Sequence, residues 1–177
     1  VTVDKIYLVG FMASGKSTLA RALGARLGWP VEDVDDLIEA RERRTIADIF
    51  AQQGEAYFRA VEREILGILQ PLRHVIVATG GGTFADPANR EAINIDGTSV
   101  WLDVPLEHLI TRIPLDGRRP LATDREQLER LYAARADAYR HAHIRIPAGN
   151  RPVDALVDQV LDAVRRLPPV VAPPSLA

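Results

Sequence analysis

Ile6-Tyr7-Leu8-Val9 followed by Gly10-Phe11-Met12-Ala13-Ser14-Gly15-Lys16-Ser17 is the stretch on which the reading of this chain turns. An apolar run leads into the pattern G-x-x-x-x-G-K-[ST], and a helical pattern follows at Leu19, Ala20, Leu23 and Leu27. Strand, glycine-flanked loop and helix in that order are the context that makes the pattern a phosphate-binding loop. Glycine lets the backbone curl tightly, so that successive N–H groups point inward at phosphate oxygens. The helix behind adds the positive end of its dipole. Lys16 is placed to reach the β- and γ-phosphates, and the Ser17 hydroxyl to hold Mg²⁺. The other reading is a turn with a helix cap. Composition argues against it, because of 22 basic residues only Lys5 and Lys16 are lysine, and one stands where a compact ammonium is needed.

Working outward, strand and helix patterns alternate, the signature of an α/β fold: a parallel sheet with helices on both faces. Strands are expected at about 5–9, 30–32, 74–78, 99–104 and 144–146. Helices are expected at about 16–27, 36–43, 46–53, 55–69, 125–140 and 153–166, with Pro105 opening a further one. Thr45 with Asp48 resembles a capping box, and Gly54 separates the third and fourth helices. The expected architecture has three layers, α-β-α, around five parallel strands. Residues 113–124 lack helical periodicity and read as a mobile lid, and the proline-rich 168–177 as a loose tail beyond one domain spanning 1–167.

Composition bounds the function. A net charge of −2 gives no reason to expect nucleic-acid binding over a broad surface. Zero cysteines exclude disulfides and thiolate chemistry and fit a cytoplasmic protein. No leader-like segment precedes the first strand, and no apolar run approaches the length of a membrane span. His74, His108, His141 and His143 show no metal-ligand spacing, and Trp29 and Trp101 read as core.

In open α/β sheets ligands bind at the carboxyl ends of the strands. The phosphate loop, Asp33-Val34-Asp35 and Gly80-Gly81-Gly82 all fall there. On extended chain Asp33 and Asp35 would point the same way, one toward the Mg²⁺ shell and one toward the proton of an attacking hydroxyl. Equally, they could cap the following helix. Arg59 and Glu62 share a helix face, as a surface pair or as a guanidinium set to clamp an anionic substrate. Three consecutive glycines are costly unless a ligand presses against the backbone. Arg118 and Arg119 could close over a transferring phosphate, or be solvated loop charges.

Taken in order, the phosphate loop, Asp33-Val34-Asp35, Phe58-Arg59-Ala60-Val61-Glu62, Gly80-Gly81-Gly82, Arg119-Pro120-Leu121 and Arg135 four residues before Tyr139 resemble the shikimate kinase family. The resemblance runs from about Lys5 to Arg166. It implies transfer of the ATP γ-phosphate to the 3-hydroxyl of shikimate by a monomer of the nucleoside monophosphate kinase fold. It further implies that Gly10, Met12, Ala13, Ser14, Gly15, Lys16, Ser17 and Thr18 cradle ATP and that Asp33 contacts Mg²⁺ through water. Asp35 would hold the shikimate hydroxyls and help activate the nucleophile. Arg59, positioned by Glu62, and Arg135 would grip the carboxylate, Gly80 to Gly82 would line the pocket, and Phe50 and Phe58 would pack beside the ring. Arg119 would be the lid arginine, Arg112 would stack on adenine, and Asn150-Arg151-Pro152 resembles an adenine loop.

Two departures from the family pattern stand out. Ala122 replaces the second leucine of R-P-L-L, and Asp116 and Arg118 precede Arg119, so Arg118 could take the lid role. Gluconate kinase would share the phosphate loop but has no reason for this ordered set. A non-catalytic relative would be expected to lose Lys16, Asp35 or Arg59. A guanine-nucleotide switch would need N-K-x-D, which is absent.

Overall fold

The computed structural model describes residues 3–113 and 125–168. Most of the expected lid segment and of the tail therefore lies outside the described residues, and so do Arg118 and Arg119. Strands β1 (Lys5–Val9), β2 (Val31–Asp33), β3 (Val75–Ala78), β4 (Thr98–Asp103) and β5 (Ile144–Pro147) form one sheet in the order β2-β3-β1-β4-β5. Every pairing is parallel, with Leu8 opposite Ala78 and Val100. All five residues of the central strand are buried, as covering both faces of a sheet demands.

Helix α1 (Lys16–Leu27) starts and stops on the left-handed glycines Gly15 and Gly28 and packs beside α7 (Val153–Arg165) on one face. Right-handed crossovers then put α3 (Ile46–Leu69), α4 (Pro87–Asp96) and α6 (Arg125–Tyr139) on the other, completing three layers. Helix α2 (Val34–Glu42) packs on α3, and the short α5 (Leu106–Ile110) on α6. The two helices expected on either side of Gly54 run as α3 with a kink at that residue, where φ is 80°.

Two local expectations are corrected. Residues 87–96 form α4, although no helix was expected there. Asp86 caps it, its Oδ1 accepting from the N–H groups of Ala88 (2.9 Å) and Asn89 (3.0 Å), with Pro87 at the first position. Only Asn89 and Ile93 of its ten residues are buried, and one of the two is polar. The chain is also not extended through Asp35. Strand β2 ends at Asp33, which accepts a hydrogen bond from the Asp35 N–H (3.1 Å) and caps α2, placing Asp35 in the first helical turn.

The amino end of β1 holds a buried charge that sequence patterning passed over. Lys5 is fully buried inside a strand, its Nζ donating to the carbonyls of Leu69 and Gln70 (2.9 Å each) and to Asp96 Oδ2 (2.5 Å). It thereby satisfies carbonyls at the end of α3 and ties them to the end of α4. The Tyr7 hydroxyl donates to the same Asp96 oxygen, and burial together with that bond pushes its pKa far up. Asp96→Ala would strand a buried ammonium. We expect a loss of about 3–5 kcal/mol in chemical denaturation, with Lys5→Met tolerated better because it removes the charge.

Between β4 and β5, the Ser99 N–H donates to Nδ1 of the exposed His143 (3.1 Å), and partial desolvation of the ring lowers the pKa of that imidazole. A lowered folded pKa means that the unfolded chain binds more protons. The stabilisation is therefore complete above the ordinary histidine value of about 6.5 and is lost as pH falls below it. The drop in melting temperature between pH 7 and pH 5 is expected to be smaller in His143→Gln than in the natural chain.

Candidate active site

The loop after β1 forms the floor of the site. Gly10 (φ 139°) runs so close to β4 that a Cβ on it would lie 2.8 Å from the Leu102 carbonyl oxygen. Gly15 (φ 94°) turns the chain into α1, whose first turn carries no acidic side chain to compete with an anion. Lys16 is nearly buried, and its Nζ donates to the carbonyls of Gly10 (2.9 Å) and Phe11 (2.8 Å), inside the curl of the loop. The Ser17 hydroxyl donates to Asp33 Oδ2 at 2.6 Å. Asp33 caps α2 with one oxygen, as the capping reading has it, and meets Ser17 with the other. A hydroxyl and a carboxylate oxygen side by side at a phosphate loop are the hard donors Mg²⁺ takes.

The wall opposite is Gly80-Gly81-Gly82, and each glycine is required by a different neighbour. A Cβ on Gly80 would lie 2.7 Å from Asp35 Oδ1, and one on Gly81 would lie 2.9 Å from the Met12 backbone nitrogen. One on Gly82 would lie 2.5 Å from Arg59 Nη2 and 2.9 Å from Arg135 Nη2. A bound ligand was the expected reason for the triple glycine. The protein's own side chains and phosphate loop already suffice.

The same distances show how the wall gathers the site. Asp35 stands at one end of the three glycines, two guanidinium groups at the other, and the phosphate loop touches the middle. Arg59 is not a surface pair: its Nη1 donates to Glu62 Oε2 at 2.9 Å, and the Glu62 carboxylate is fully buried. Glu55 holds its other edge, accepting from Nε (3.3 Å) and Nη2 (3.2 Å). Burial works against the Arg59 charge, but Glu62 and Glu55 outweigh it and leave its pKa raised. Arg135 is 6% exposed and lies over the Phe11 ring. Burial lowers its pKa, with the Arg59 cation adding to the effect and Tyr139 opposing it. Two cations converging in a nearly buried place call for an anion between them.

Phe58 is buried, with its ring 4.8 Å from that of Phe50 and the Arg59 guanidinium over its face. Arg112, after α5, donates to the Gly149 carbonyl (3.1 Å) and to Asn150 Oδ1 (3.2 Å), so it meets the loop that carries Arg151. Two residues outside the expected set complete the wall. The Tyr139 hydroxyl donates to the Gly81 carbonyl (2.5 Å) and the Thr83 hydroxyl to Glu62 (2.6 Å). Tyr139 carried a signal as the i+4 partner of Arg135, and Thr83 only its adjacency to the glycines.

A parallel sheet in this strand order, a phosphate loop on its central strand and an acceptor wall facing that loop define a P-loop kinase of small molecules. A family model described as shikimate kinase matches residues 12–165. Shikimate kinase from Sulfurihydrogenibium sp. is 40% identical over 93% of this chain and 99% of the relative, and that from Persephonella marina 38% over 90% and 98%. The structure of shikimate kinase from Acinetobacter baumannii in complex with shikimate superposes with a TM-score of 0.87 at 33% identity, covering 94% of this chain and 97% of that one. The chain belongs to the shikimate kinase family, whose members are ATP-dependent kinases.

Gly82→Ala would push a methyl group into both guanidinium groups. We expect binding of shikimate, the acceptor that gives the family its name, to weaken by about 1.5–3 kcal/mol, the worth of one charge-assisted hydrogen bond. Calorimetric titration should find nucleotide affinity unchanged.

Proposed function

We propose that this chain transfers the γ-phosphoryl group of ATP to the 3-hydroxyl of shikimate, giving shikimate 3-phosphate and ADP on the route to chorismate and the aromatic amino acids. One observation carries the reading: Arg59 and Arg135 converge at Gly82 while Asp35 stands at Gly80, with the phosphate loop against Gly81 between them. A ring bearing a carboxylate on one side and hydroxyls on the other matches a cationic clamp and a carboxylate held apart by that short wall.

In this reading Arg59 and Arg135 grip the shikimate carboxylate, and Phe50 and Phe58 pack beside the ring. Gly80, Gly81 and Gly82 line the pocket. Asp35 accepts a hydrogen bond from the attacking hydroxyl and takes its proton as the new P–O bond forms. Backbone N–H groups from Gly10 to Thr18 cradle the phosphates. Lys16 draws off charge accumulating on the γ-phosphoryl oxygens in a loose transition state. Ser17, and Asp33 through water, would hold Mg²⁺, which would neutralise charge on the phosphates. Arg112 and Arg151 belong to the adenine side. Arg119, in the lid segment, would close over the nucleotide and exclude water. Residues 1–167 act as one kinase domain, in which 33–62 carry most of the acceptor site. The reading includes a cytoplasmic monomer with no nucleic-acid or membrane partner, and no helix among the described residues is long and apolar enough to cross a membrane.

The test is ADP release from ATP and Mg²⁺ with shikimate, quinate or gluconate. Shikimate should support turnover well above the other two. Asp35→Asn keeps the shape but cannot take a proton, and kcat should fall by about 10²- to 10⁴-fold, the range for a lost general base. Turnover with gluconate in place of shikimate would overturn the acceptor, and an active Asp35→Asn variant the role of that residue.

A further inference from the structure

The two oxygens of the buried Glu62 carboxylate are used separately. Oε2 accepts from Arg59 Nη1 at 2.9 Å, and Oε1 accepts from the Thr83 hydroxyl at 2.6 Å. Thr83 is fully buried and opens a 3₁₀ turn (Thr83–Ala85) immediately after the glycine wall, its N–H donating to the Gly80 carbonyl at 3.3 Å. Its hydroxyl stands at the junction of two carboxylates. A Cβ on Gly80 would lie 3.0 Å from Thr83 Oγ1, 3.3 Å from Glu62 Oε1 and 2.7 Å from Asp35 Oδ1.

We propose that Thr83 is a positioning residue that aims the Arg59 clamp by occupying one oxygen of Glu62. A carboxylate with both oxygens open to a guanidinium tends toward the two-bonded fork, in which two nitrogens are drawn onto the carboxylate. Thr83 blocks that fork. Its hydrogen bond holds Oε1, so Glu62 takes Nη1 alone and leaves Nη2 to Glu55 (3.2 Å), at its place by Gly82 beside Nη2 of Arg135. Without the hydroxyl, Oε1 is a buried acceptor lacking its donor. The carboxylate then turns to meet that need from Arg59 and pulls Nη2 away from the acceptor pocket. The Thr83 hydroxyl donates to Glu62 behind the clamp, so the effect falls on acceptor binding. The inference rests on the proposed shikimate clamp.

The experiment compares Thr83→Val, which keeps the shape without the hydroxyl, with Thr83→Ser, which keeps the hydroxyl on a smaller side chain. In the ADP-release assay, Thr83→Val should raise KM for shikimate about tenfold, the scale of one hydrogen bond to a charged group. Its kcat and its KM for ATP should stay within about twofold of the natural enzyme, because the hydroxyl contacts neither the phosphate loop nor the reacting atoms. Thr83→Ser should restore KM for shikimate. A purely structural role would lower the melting temperature without this split. Thr83→Ala carries the same expectation and replaces the valine variant if that one does not fold. An unchanged KM in Thr83→Val, or an equal rise in Thr83→Ser, overturns the inference. A natural enzyme that releases no ADP with shikimate would instead sink the functional reading beneath it.

Discussion

Everything in the site depends on the absence of three Cβ atoms. Gly80, Gly81 and Gly82 form a backbone wall thin enough for Asp35, the phosphate loop and two arginines to approach from different elements. Those elements are α2, the β1–α1 loop, α3 and α6. The conformational entropy of three flexible residues is the cost of bringing them together. Hydrogen bonds then hold the wall: Tyr139 from α6 meets the Gly81 carbonyl, and Thr79 ties the strand exit to β1 through the Leu8 carbonyl.

At the Gly82 end of that wall the guanidinium groups, not Glu62, lie against the backbone. Glu62 is buried behind Arg59 and satisfied from two sides, so its charge fixes the arginine. Arg135 gains its burial from the Phe11 ring and its own helix, and its lowered pKa is the mark of a cation kept in an unfavourable place. In the proposed reading electrostatics and catalysis meet here, because the same convergence would set the acceptor against the phosphate loop.

Much of this was legible in the sequence. The alternation of apolar runs and capped helical patterns carried the three-layer fold. The glycine-lysine-serine loop carried the nucleotide end, because that chemistry is local and lies within one strand-loop-helix unit. What was not legible was long-range. Arg59 and Glu62 look like any i,i+3 surface pair until packing buries them, and Arg135 is one of twenty arginines until α6 brings it to Gly82. Helix α4 escaped because one of its two buried residues, Asn89, is polar, although Asp86-Pro87 and Gly97 marked its ends. Asp33 and Asp35 were read as a pair on extended chain. In the fold, one caps the helix that carries the other.

The two lysines complete the argument and sharpen one premise of it. In a chain that otherwise uses arginine, lysine at position 16 pointed to a place needing a compact ammonium. Lys5 obeys the same rule without any catalytic role. Both are buried at opposite ends of the path through β1, and both turn their Nζ onto backbone carbonyls: Leu69 and Gln70 at one end, Gly10 and Phe11 at the other. A planar guanidinium could not fit three donors around such a point. Rarity of lysine therefore marks the demand for a small, tetrahedral cation in a confined space. The partner distinguishes the two uses. Lys5 faces a carboxylate of its own chain, Asp96, and its charge is answered. Lys16 turns onto the carbonyls of Gly10 and Phe11 inside the curl of the phosphate loop, and there the same physics serves the loop.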